Sequence, residues 1–133
     1  MNAKISRAVS QQRGMEMQNN TAVILRYYQL VDSADYEPMF GMFSEDIIYE
    51  RGGHPAIDGM ADFRGFYLNE RKIASGRHVV ESVVENGDWV AARGVFTGEL
   101  RSGEPVTTRW ADFHHFRGER ICRRYTYFAD QAV

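Results

Sequence analysis

The chain has 133 residues, with 44% apolar and 26% charged side chains, so it fits one globular domain and not a disordered segment. Its 16 basic and 18 acidic residues leave a formal charge of −2, which supplies no bulk field for nucleic acid or anionic lipid. One cysteine, Cys122, excludes an intrachain disulfide, and no CxxC or His/Cys cluster points to a structural metal.

In chain order, residues 1–18 are polar and read as an extension ahead of a domain over residues 19–133. They lack the apolar centre of a secretory signal, and no apolar run approaches the roughly 20 residues of a bilayer span, so a cytoplasmic location without a membrane partner is expected. Asn19, Asn20 or Thr21 can cap a helix running to about Asp32, with Val23, Ile24, Tyr27, Leu30 and Val31 on one face. Asp35 then caps a short second helix with Pro38 in its first turn and Met39, Phe40 and Phe43 for packing. Asp46–Glu50 reads as a strand and Arg51–Ile57 as a loop, because Gly52, Gly53 and Pro55 resist regular structure.

Asp58 is placed to cap a third helix, with Met60, Phe63, Phe66 and Tyr67 at helical spacing and an end near Ser75 and Gly76. His78–Val84, Trp89–Leu100, Pro105–Phe116 and Arg120–Asp130 follow as an antiparallel meander around tight turns. Three helices ahead of a long curved sheet make an α+β domain, a cone with an apolar pocket between its layers.

The strand 107–116 carries the most informative side chain. Strand alternation puts Trp110, Asp112, His114 and Phe116 on one side and Arg109, Ala111, Phe113 and His115 on the other. A buried Asp112 without a cation keeps its proton and donates a hydrogen bond; paired with Arg124 it ionises instead. His114, on the same face, is either a proton carrier or a hydrogen-bonded core histidine. His78 opens a strand beside Arg77 and reads as structural. Cys122 reads as a small strand residue. The apolar outer positions Ala111 and Phe113 suggest a homodimer.

From Tyr27 to Phe128 the chain resembles the NTF2-like (SnoaL-like) superfamily, and its first half resembles ketosteroid isomerase. The likeness rests on Arg26–Asp32 (RYYQLVD), Met42–Asp46 (MFSED), Ile57–Gly59 (IDG) ahead of Phe66 and Tyr67, Ala111–Phe116 (ADFHHF), and the closing Tyr127 and Phe128. It implies an NTF2-like cone whose N-terminal helices pack in a curved antiparallel sheet. It also implies that Tyr27 is an oxyanion tyrosine, Asp112 its protonated partner acid and Tyr67 a supporting hydroxyl. Two neutral donors aimed at one point stabilise an enolate oxygen.

The resemblance puts the general base at the end of the first strand. Ungapped pairing places Arg51 there, whereas a one-residue gap slides Glu50 into the slot, and both registers stand. Trp110, His114, Arg93, Arg124, Thr126 and Phe128 fall on pocket positions, with His54 at the mouth. The arginines suggest a polar or anionic ligand, or an internal ion pair.

The implied function is a cofactor-independent, metal-free isomerase or cyclase of natural-product tailoring. It would move a proton beside the carbonyl of a polyketide-like or other small substrate. A non-catalytic small-molecule-binding protein is the alternative. Epoxide opening is another, though the acids of the limonene epoxide hydrolase Asp-Arg-Asp triad fall here on Val95 and Thr126.

Overall fold

The amphipathic stripe that begins the domain becomes helix α1, residues 20–32, in a computed structural model that describes residues 20–130 and Val133. The expected extension over residues 1–18 lies outside the described residues. There follow α2 (Tyr36–Phe40), β1 (Phe43–Arg51), β2 (Ile57–Asp58) and α3 (Met60–Gly65), which widens into a π turn over Phe66–Glu70. The long strands β3 (Ile73–Asn86), β4 (Trp89–Leu100), β5 (Pro105–Arg117) and β6 (Arg120–Phe128) complete the domain.

All six strands join one sheet in the order β2-β1-β6-β5-β4-β3. The last four pair antiparallel with their sequence neighbours, as tight turns require, while β1 runs parallel to β6. Register shifts leave Glu81 of β3 and Cys122 of β6 (opposite His115/Phe116) without partners, bulges that bend the strands and curve the sheet around the helices. The architecture is therefore an α+β cone with a curved sheet. Ile24, Tyr27, Leu30 and Val31 of α1 bury against Met39, Phe40, Phe43 and Phe63, each contributing about 1.5–3 kcal/mol by leaving water.

Several element ends differ from expectation, because the partners that fix them are distant in sequence. Residues 20 and 21 are already helical, and the Glu85 carboxylate on β3 accepts from both the backbone N–H and the hydroxyl of Thr21. Asp35 stands at the N-cap of α2 but makes no capping bond through its side chain. Asp58 is a β2 residue paired with Ile48, and the α3 N-cap is Gly59 at φ 90°. The third helical stretch ends at Glu70, and β3 starts at Ile73 because residues 73–77 pair with the far end of β4. Gly94 permits the closest strand approach beneath the cavity: a Cβ there would lie 1.9 Å from the Val79 carbonyl oxygen and 3.0 Å from the Trp110 ring.

Candidate active site

The β5–β6 register sets Asp112 opposite Thr126 and His114 opposite Arg124, all four buried on the concave face. Asp112 and Arg124 are thus diagonal neighbours, and Arg124 Nη2 donates to Asp112 Oδ2 at 2.8 Å. Tyr28 donates to the same oxygen at 2.6 Å, and the Thr126 hydroxyl donates to Oδ1. Burial alone would raise the Asp112 pKa, but the guanidinium, aided by His114 and these hydroxyls, reverses the sign and holds the carboxyl below its usual range. The expectation of a protonated Asp112 donating into an oxyanion hole is therefore corrected. This acid is an ionised acceptor whose role is to hold Arg124.

Arg124 lies between two phenol faces, with its guanidinium carbon 4.5 Å from the ring centres of both Tyr27 and Tyr49. Its Nη1 donates to the Tyr67 hydroxyl at 3.1 Å, and the Tyr67 and Tyr27 hydroxyls bond to each other. Those two phenols own two protons and share one bond, so among the described residues one O–H lacks a protein acceptor. Burial pushes the Tyr27 phenol well above its ordinary pKa, so it stays protonated at neutral pH. Tyr49 donates to Thr126 at 2.9 Å, because the one Thr126 proton is committed to Asp112. The π turn contributes by placing the adjacent residues Phe66 and Tyr67 together on the buried side.

These groups line a cavity of about 40 Å³, together with Trp110, Phe128, Arg51, Arg71 and His78. Trp110, Tyr67, Arg124, Thr126, Phe128 and Arg51, all named from the sequence, lie along this cavity. The one-residue register question resolves toward Arg51, whose Nη1 donates to the Val133 carbonyl at 3.0 Å while the guanidinium stacks 4.1 Å above Phe66. Glu50 is exposed and stands outside the cavity lining, which corrects its candidacy as general base. Strand alternation allows only one of two consecutive residues to face inward.

Arg93 is likewise corrected: it is exposed and pairs with Glu81 at 3.6 Å on the convex face. His54 lines an outer groove that shares Arg51, Phe66 and Val133 with the cavity, so it reaches the entrance and not the interior. His114 is fully buried outside the cavity lining, with Nδ1 3.1 Å from the Val90 carbonyl. Burial, and then the Arg124 charge, hold its pKa down to about 4, so it is a neutral core histidine at pH 7.

The residue missed by sequence is His78. It lines the cavity against Tyr28, Phe96 and Trp110, and Asp32 at the end of α1 grips it twice. The Asp32 carboxylate accepts from the His78 backbone N–H at 2.8 Å and lies 2.6 Å from Nδ1. With Nδ1–H committed to the carboxylate, Nε2 is the atom left to carry a lone pair.

The model of the SnoaL-like domain family matches residues 24–124. A search of curated proteins finds no match. Among solved structures, Bal32a from a soil-derived mobile gene cassette is similar with a TM-score of 0.76 at 18% identity, over 86% of this chain and 92% of that one. A candidate polyketide cyclase from Pseudomonas putida gives 0.75 at 19% identity, over 81% and 90%. A protein with a ketosteroid isomerase-like fold from Catenulispora acidiphila, in complex with trimethylamine, gives 0.72 at 17% identity, over 84% and 88%. At such identities these likenesses speak for the fold alone.

Proposed function

We propose that this chain, which belongs to the SnoaL-like domain family, is a cofactor-independent isomerase or cyclase that moves a proton beside the carbonyl of a small substrate. One observation carries it: a carboxylate-held histidine and a phenol pair with an uncommitted proton line the same cavity. In the first step His78 Nε2 takes a proton from the carbon next to the carbonyl. The C–H electron pair moves into the new C=C bond, and the carbonyl oxygen becomes an enolate oxygen. Tyr27 or Tyr67 donates to that oxygen, and the Arg124 guanidinium behind Tyr67 makes the phenol pair a stronger donor. The imidazolium then returns the proton at another carbon, or the enolate carbon attacks a second carbonyl and closes a ring, and the imidazolium gives its proton to the alkoxide left by that carbonyl.

Turnover is measured on a panel of 1,3-dicarbonyl compounds, following deuterium uptake from solvent at the acidic carbon by NMR. Tyr27→Phe is expected to slow exchange by roughly 10²–10³-fold and His78→Gln by roughly 10²–10⁴-fold. Asp32→Asn should weaken exchange with little change in KM, since it only orients the base. Wild-type rates in both Tyr27→Phe and His78→Gln reject the proposal.

A non-catalytic carrier is the second reading, favoured by Arg51 in the position where a carboxylate base was expected. Epoxide opening has less support, because three donors, one of them the Arg124 guanidinium, already hold Asp112. The buried thiol of Cys122 suits a cytoplasmic setting, and a homodimer built on the convex face belongs to the same proposal.

A further inference from the structure

The cavity is lined by three guanidiniums, those of Arg51, Arg71 and Arg124, against a single acidic side chain, Asp112. Arg124 and Asp112 neutralise each other and Arg51 donates to a main-chain oxygen of Val133, so among the described residues Arg71 is left without a hydrogen-bonded acceptor. Among the described residues neither Arg51 nor Arg71 forms an ion pair. Both lie against aromatic faces: Arg51, which also donates to Val133, is 4.1 Å from the Phe66 ring centre, and Arg71 is 5.6 Å from that of Tyr67. Aromatic faces position a guanidinium without satisfying its N–H groups.

An independent observation agrees in sign. Three buried polar atoms on cavity-lining side chains have no partner: Arg51 Nε, Arg124 Nε and Trp110 Nε1. All three are donors, and the spare phenolic proton makes a fourth. An unmatched donor costs about 1–3 kcal/mol when buried, so a cavity whose fully buried unmatched groups are donors, with His78 Nε2 the one lone pair facing them, is complementary to acceptor oxygens.

We infer that the substrate is a small oxo acid, whose carboxylate docks on Arg51 and Arg71 while its carbonyl oxygen meets the phenol pair. This deepens the proposed function and rests on its reading of the cavity as the substrate site. A carboxylate supplies two acceptor oxygens in the plane a guanidinium fork matches, and Arg51, which lines both the cavity and the outer groove, stands outside the Asp112–Arg124 pair, as does Arg71. At about 40 Å³ the cavity has room for little more than one polar end of a ligand, so the rest of the acid would lie in the adjoining groove that shares Arg51, Phe66 and Val133.

The test is calorimetric titration at low salt with acetoacetate and with its uncharged isostere acetoacetamide. Acetoacetate is expected to bind roughly tenfold or more tightly than the amide. Arg51→Met and Arg71→Met, two substitutions at partly exposed side chains, should each cut that preference. Equal affinities, no heat from either ligand, or a preference untouched by both substitutions overturns the inference. His78→Gln separates the two ideas. It should abolish deuterium exchange and keep the charge preference, so catalysis and anion recognition fail independently.

Discussion

Asp112 accepts from a guanidinium, a phenol and a hydroxyl at once, and the Arg124 charge holds it ionised. Its substitution therefore tests structure. Asp112→Asn strands the Arg124 charge in the core and should cost about 3–5 kcal/mol in urea unfolding, whereas a neutral oxyanion donor would tolerate the change. The carboxyl is lower in the fold than in the unfolded chain, so its contribution is complete above the unfolded pKa and disappears as pH falls through the folded one.

His114 acts in a higher window. Its folded pKa of about 4 lies below the free value of 6.5, so the unfolded chain takes up the proton first. Stability should be complete above about pH 6.5 and fall by about 3 kcal/mol by pH 4. In His114→Gln that limb should flatten, and an unchanged slope would exclude the assignment. The alternation of strand 107–116 was enough to put Asp112 and His114 on the concave face. Whether Asp112 met Arg124 was not legible, because the pairing depends on β5–β6 register. The His78–Asp32 contact joins a strand to a helix end 46 residues away, and no local pattern encodes it.

At the scale of elements, α1 closes in a paired-bond cap: Asp35 N–H reaches the Leu30 carbonyl at 2.8 Å and Ala34 N–H reaches that of Val31 at 3.0 Å. Ala34 occupies the left-handed position of this cap at φ 57°, where a Cβ crowds the carbonyl that follows. Ala34→Gly should raise stability by roughly 0.5–1 kcal/mol, read as a higher Tm with unchanged exchange activity. A lower Tm would show that unfolded-chain entropy outweighs the relief. The identities of the longer helices and strands were legible from periodicity, since the apolar spacing of α1 and the alternation of β5 are strong, whereas the two-residue β2 read as loop and helix cap. The ends were not, because Glu85 caps α1 from β3 and Gly59 displaces Asp58 at the start of α3.

Across the whole molecule, the concave face holds the cavity and the convex face is left with apolar side chains. Phe113 is 43% exposed and Tyr127 56%, and their rings meet edge to face at 6.0 Å on neighbouring strands. If two copies pair through this face, sedimentation should give twice the 15.3 kDa chain mass, and Phe113→Asp with Tyr127→Asp should return a monomer with intact circular dichroism. A wild-type monomer at micromolar concentration would end that proposal. The four-strand meander was readable because each turn is short and local. The parallel partnership of β1 with β6 was not, since nothing in either strand names the other.

That partnership sets an order of events during synthesis. Until Ile121–Thr126 leave the ribosome, β1 has only the two residues of β2 beside it, and Asp112 has no guanidinium. A nascent chain stopped short of Arg120 would carry an open strand edge and an unpaired acid in a half-built hollow. Chaperone capture and proteolysis should therefore fall on such truncated chains. The last strand both zips the sheet and delivers the cation on which the finished site depends.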